Sequence, residues 1–95
     1  FYSTDLDHIL RTMDITHLVV GGLTTDVCVH TTLREANDRG LETLLLRDGT
    51  AATEPRHREA IFSMTEMQGG MFGATCTTDE FIAGLMPEAL QETET

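Results

Sequence analysis

The stretch from His17 to Leu46 constrains the fold more than any other part of the sequence. His17-Leu18-Val19-Val20-Gly21-Gly22 is a short apolar, β-branched run closed by paired glycines, the pattern of a strand buried on both faces. From Thr25 to Arg39 the apolar spacing becomes helical. Thr24 or Thr25 stands ready to cap, Asp26 suits the positive end of the dipole, Val29, Leu33 and Ala36 share a face, and Gly40 stops the helix. Thr43 to Leu46 is a second apolar strand, closed by Arg47, Asp48 and Gly49. Strand, helix, strand in this order predicts a βαβ unit, hence an α/β fold with a parallel sheet and a right-handed crossover.

The flanks extend the pattern. Thr4 with Asp7 predicts a capping-box-like start to a helix over 4–13, carrying Leu6, Ile9, Leu10 and Met13. Pro55 opens a further helix through Ile61, Met64 and Met67, stopped by Gly69 and Gly70, with the methionines Met64, Met67 and Met71 as core filler. Phe72 to Thr77 reads as a third short strand, and Thr78, Asp79 and Glu80 as the cap of a last helix with Phe81, Ile82 and Leu85. A chain of 95 residues allows one domain, over 1–86, with an acidic, frayed tail over 87–95. Parallel sheets usually hold about five or more strands covered on both faces, and two or three are visible here. The chain also starts at Phe1 rather than Met, so it is expected to be truncated at its front.

Charge excludes several functions. Six basic residues, all Arg, face sixteen Asp and Glu, and a net charge of −10 repels the phosphates of nucleic acid and anionic lipid. No apolar stretch approaches the roughly 20 residues of a membrane span. Cys28 and Cys76 have neither disulfide nor zinc spacing, which fits a reduced, cytoplasmic setting.

The informative segment is Gly21-Gly22-Leu23-Thr24-Thr25-Asp26-Val27-Cys28-Val29, which sets a cysteine in the first turn of a helix beyond the carboxyl end of a strand. Open α/β sheets bind ligands at that end. The free N–H groups and dipole of a first helical turn favour a thiolate and can also hold an oxyanion. A small buried apolar cysteine is the alternative from position alone. His30 lies two residues on, a rotation of about 200°, and so points away from Cys28. His8, His17 and His57 read as surface or helix-end residues, and Glu54-x-x-His57 as capping and charge instead of half a di-iron site. Gly69-Gly70-x-x-Gly73 follows a helix, not a strand, and Asp26 would repel a phosphate at the other glycine pair, so neither supports a dinucleotide site.

Gly-x-x-Thr-x-x-Cys-Val, followed by Ala36-Asn37-Asp38-Arg39-Gly40 and a strand reaching Asp48, resembles the isochorismatase-like cysteine hydrolases over about residues 1–85. Thr24 to Cys28, Arg34 to Gly40 and Gln68-Gly69-Gly70-Met71-Phe72-Gly73 are most similar to the biuret hydrolase branch, with N-carbamoylsarcosine amidase and ureidoacrylate amidohydrolase as close relatives. The resemblance implies a three-layer Rossmann-like fold, present as a carboxyl-terminal half, and hydrolysis of a small ureido or carbamoyl compound through a thioester, without metal or organic cofactor. It places the nucleophile at Cys28, a cis peptide at Leu23–Thr24, and oxyanion donors at the N–H groups of Thr24 and Cys28. Gln68 falls on a substrate-binding glutamine of that branch; its other reading is a polar helix end.

The family also supplies an Asp base from an earlier strand and a Lys from upstream of Phe1. This sequence has no Lys, and Asp5 and Asp7 do not match the base, so this segment alone is expected to be inert; the apolar sheet edge and face left by a missing half make it also marginally folded or self-associating. The resemblance further implies a homo-oligomer at full length with a small-molecule substrate, while the charge and hydropathy already speak against a nucleic-acid or membrane partner. The rival reading is a noncatalytic remnant or binding module that keeps the fold.

Overall fold

A computed structural model describes residues 1–85. The elements in order are α1 (Leu6–Thr12), β1 (His17–Leu23), a π-helical turn (Thr25–Val29), α2 (His30–Asp38), β2 (Glu42–Ala51), α3 (Pro55–Gly70), β3 (Ala74–Cys76) and α4 (Thr78–Leu85). The expected tail over 87–95 lies outside the described residues.

The three strands form one parallel sheet in the order β1-β2-β3, with Val19 opposite Leu44, Val20 opposite Leu45 and Leu46 opposite Cys76. Alternation along β2 divides its side chains between two faces. Leu45 points into the core with Val29, Leu33, Ile61 and Phe62, while Val20 and Met64 pack around it. Leu44 takes the opposite face, where it lines a cavity of about 170 Å³ with Val19 and Phe81 of α4. Helices α2 and α3 thus cover one face and α4 the other, the three layers expected of this fold.

Several local expectations are corrected. β1 is not buried on both faces: Val19 is 45% and Leu23 70% exposed, α4 on the Val19 side lying mainly against β2. β2 does not end at Leu46 but runs on to Ala51. Val20 pairs with Leu45 and Gly22 with Thr50, so Leu46 to Gly49 bulge out opposite Gly21 and the strand then resumes. The two backbones come so close there that a Cβ on Gly21 would lie 3.1 Å from the Gly49 carbonyl oxygen.

The helix ends differ too. Thr4 donates to Phe1 O and accepts the Leu6 N–H at 3.3 Å, while Asp7 pairs with Arg11 at 3.1 Å, so the capping box does not close. The expected helix from Thr25 begins as a π turn, and Gly40, at φ +80°, follows its end. α3 loses helical geometry at Met67 and Gln68, ahead of its glycines. Met67 and Met71 are 38% and 41% exposed, so only Met64 of the three methionines fills the core. α4 is capped by Thr77 instead of Thr78: the Thr77 hydroxyl accepts the Glu80 N–H and Glu80 Oε1 accepts the Thr77 N–H, a reciprocal box.

Candidate active site

The carboxyl end of β1 hands over to α2 through an unusual piece of backbone. Gly22 takes φ +113°, a region open to glycine, and the peptide joining Leu23 to Thr24 is cis. The Thr24 carbonyl then accepts two N–H groups, from Val27 at 3.2 Å and from Val29 at 3.1 Å. The second bond spans five residues and widens the turn to a π geometry. In such a turn residues four apart share a face, so Thr25 and Val29 both point inward and are buried. Val27 and Cys28 are left facing outward, and Cys28 is exposed. Cys28 is therefore not the small buried residue that position alone left open. Its carbonyl accepts the Thr32 hydroxyl at 2.8 Å, which fastens the turn to the first turn of α2.

Other elements hold this turn from two sides. Within the core, the Thr25 and Thr50 hydroxyls meet at 2.8 Å, and Thr50 also donates to Gly22 O at 2.7 Å. At the surface, His57 Nδ1 in the first turn of α3 lies 3.2 Å from Asp26 Oδ2, and its Nε2 3.8 Å from Glu54 Oε2. His57 is thus a helix-end residue that also reaches the cysteine-bearing turn. Neither Thr50 nor His57 stands out in the sequence, because a lone threonine beyond a strand's expected end and a lone histidine carry no local pattern.

The remaining candidates are distributed around this centre. Gln68 is exposed, in left-handed geometry at φ +54°, where α3 breaks. His30 turns from Cys28 toward Arg34, whose Nε donates to its Nε2, and toward Phe72, whose ring centroid is 6.4 Å away. Burial, and then the Arg34 charge, lower the His30 pKa. Arg34 also stacks on Phe72 at 4.4 Å, tying the segment after Gln68 to α2. Cys76 is half-buried on β3; burial and then Glu80 push its thiol pKa up, a setting unlike that of a reactive cysteine. Cys28 lines neither the cavity under Phe81 nor a polar one of about 450 Å³ between Arg47, Arg58, Phe62 and Glu66. Among the described residues no group of three or more His, Cys, Asp and Glu is placed to hold a metal ion, and no helix is long and apolar enough to cross a membrane.

Residues 1–80 match the Isochorismatase domain, and the chain belongs to the isochorismatase family. It is 35% identical over 92 residues to the ureidoacrylate amidohydrolase RutB of Cronobacter sakazakii, covering 95% of this chain and 38% of that protein. The structure is similar to an isochorismatase-like hydrolase from Alkaliphilus metalliredigens, with a TM-score of 0.83 and 29% identity over 90% of this chain and 46% of the other. It is also similar to N-carbamoylsarcosine amidase from Thermoplasma acidophilum, with a TM-score of 0.68 and 30% identity over 83% and 43% of the two chains. The chain thus spans less than half the length of each of these relatives.

Proposed function

We propose that this chain carries the nucleophile of a cysteine amidohydrolase acting on a small ureido or carbamoyl compound. The observation that carries the reading is the exposed Cys28 in the opening turn beyond β1. In an open parallel sheet, ligands reach the carboxyl ends of the strands, which is where this cysteine stands. The Cys28 sulfur attacks the substrate carbonyl, and the carbonyl electron pair moves onto oxygen, held by the N–H groups of Thr24 and Cys28. Collapse expels ammonia or an amine, which takes up a proton, and leaves a thioester. Water cleaves the thioester, releasing the acid and restoring the thiol. Gln68 offers a donor and an acceptor in one amide, the complement of a ureido group.

On this reading the base and cation that assist the chemistry come from outside these 95 residues, since the sequence has no Lys and Asp7 is engaged in ion pairs with Arg11 and Arg39. The similarity to a ureidoacrylate amidohydrolase and an N-carbamoylsarcosine amidase favours ureido and carbamoyl substrates, biuret among them. The enzyme works in the cytoplasm as a homo-oligomer, with a small molecule as its partner. The test uses the protein expressed from its complete gene. Wild type releases ammonia from at least one of biuret, ureidoacrylate or an N-carbamoyl amino acid, and Cys28→Ser lowers kcat by about a thousandfold or more. Absence of release from every such compound, with ligand binding retained, supports the noncatalytic module instead.

A further inference from the structure

The Thr25–Thr50–Gly22 contact has a definite direction. A carbonyl oxygen has no proton to give, so the Thr50 hydroxyl is the donor to Gly22 O at 2.7 Å. Its single proton is then committed, and Thr25 must be the donor in the 2.8 Å contact between the two hydroxyls. The result is a one-way relay, Thr25 to Thr50 to the Gly22 carbonyl, that runs from the buried hydroxyls, Thr25 at 0% and Thr50 at 8% exposed, out to a residue at the surface.

We propose that Thr50 is a positioning residue for Cys28, acting through this relay, and the proposal rests on Cys28 being the nucleophile. The relay joins the last residues of β1 to the first residue of the π turn, so it fixes both ends of the link from which Cys28 projects. Thr50 is itself held from α3, because Arg58 Nε donates to Thr50 O at 3.3 Å while Arg58 Nη2 donates to Arg47 O at 2.6 Å. Both sides of the β2 bulge are thereby pinned, and the bulge is what brings Thr50 opposite Gly22. A valine would fill the same space, so packing gives no reason for a hydroxyl here. The hydroxyl's distinct contribution is to pair with the buried Thr25 hydroxyl and the Gly22 carbonyl at once and so to orient the turn. Thr50 touches no reacting atom, and its effect reaches catalysis only through where it holds the sulfur.

Three variants of the full-length protein separate orientation from packing: Thr50→Val removes the relay and keeps the volume, Thr50→Ser keeps the relay, and Thr50→Ala removes both. Each is read by kcat, by KM, and by the rate at which iodoacetamide alkylates Cys28, followed by mass spectrometry with Cys76 as internal reference. Thr50→Val is expected to lower kcat and the Cys28 alkylation rate by about 10- to 100-fold with KM and the Cys76 rate held, and Thr50→Ser to stay near wild type. If Thr50→Val does not fold, Ser and Ala decide: Ser near wild type with Ala impaired supports the relay. Equal loss in Ser and Ala, an unaltered Thr50→Val, or Cys28 and Cys76 rates that rise together overturns it. Cys28→Ser in the same assay judges the nucleophile alone, whereas alkylation judges the relay without turnover.

Discussion

His57 and Asp26, 31 residues apart in sequence, meet with Nδ1 3.2 Å from Oδ2, so the first turn of α3 is fastened to the turn that presents Cys28. The His57 side chain is 47% exposed, and solvent screens such a pair strongly. His57→Ala is therefore expected to cost less than about 1 kcal/mol in urea denaturation. A double-mutant cycle with Asp26→Asn measures the pair directly, and a coupling several times larger would mean that the contact is shielded from water.

The core should respond very differently. Leu45 is 0% exposed and packs with Leu33, Ile61 and Phe62 under α2 and α3. Leu45→Ala is expected to cost about 2 to 5 kcal/mol, transfer and cavity terms together. Val19, exposed on the other face of the neighbouring strand, should tolerate Ala with a markedly smaller loss in the same experiment.

Gly73 is required on two counts. Its φ of +131° is a conformation that side chains rarely adopt, and a Cβ there would run into the hydroxyl and carbonyl oxygens of Thr43. The Thr43 hydroxyl is already committed, donating to Phe72 O at 2.5 Å. Gly73→Ala should destabilise by at least about 1 to 3 kcal/mol. Gly84→Ala, at a helical position with open space around it, gives the comparison and should be neutral or stabilising.

Acid should loosen the α4 end of the sheet. The Thr78 hydroxyl and N–H hold the Asp48 carboxyl below its ordinary value, and the Thr77 N–H and hydroxyl do the same for Glu80. A lowered carboxylate pKa means that the unfolded chain takes up protons first as pH falls. The stabilisation is therefore complete above the ordinary carboxylate range, about pH 4, and disappears as pH drops through the lowered values. Thermal melts from about pH 6 to about pH 3 should show the loss, and Asp48→Asn should flatten it.

The parts of this fold that were readable are those written in local periodicity. The β1–α2–β2 unit follows from the switch between a continuous apolar run and the helical spacing of Val29, Leu33 and Ala36, and the place of Cys28 just beyond β1 follows from where that switch occurs. The errors arise where a distant residue decides. The resumption of β2 at Thr50 depends on pairing with Gly22, and the place of Thr78 inside α4 is held by its N–H and hydroxyl both donating to Asp48, 30 residues away. The π turn depends on the Thr24 carbonyl collecting the Val29 N–H, which no residue type signals. Thr50 and His57, which hold the turn, act across 25 and 31 residues and leave no mark in any short window of sequence.

The most direct measurement is to quench the full-length enzyme during turnover of a ureido or carbamoyl substrate and weigh its cysteine-bearing peptides. The account predicts an acyl adduct on the peptide containing Cys28 that disappears as substrate is exhausted and is missing in Cys28→Ser. An adduct on Cys76 or elsewhere, or undiminished turnover in Cys28→Ser, would contradict it.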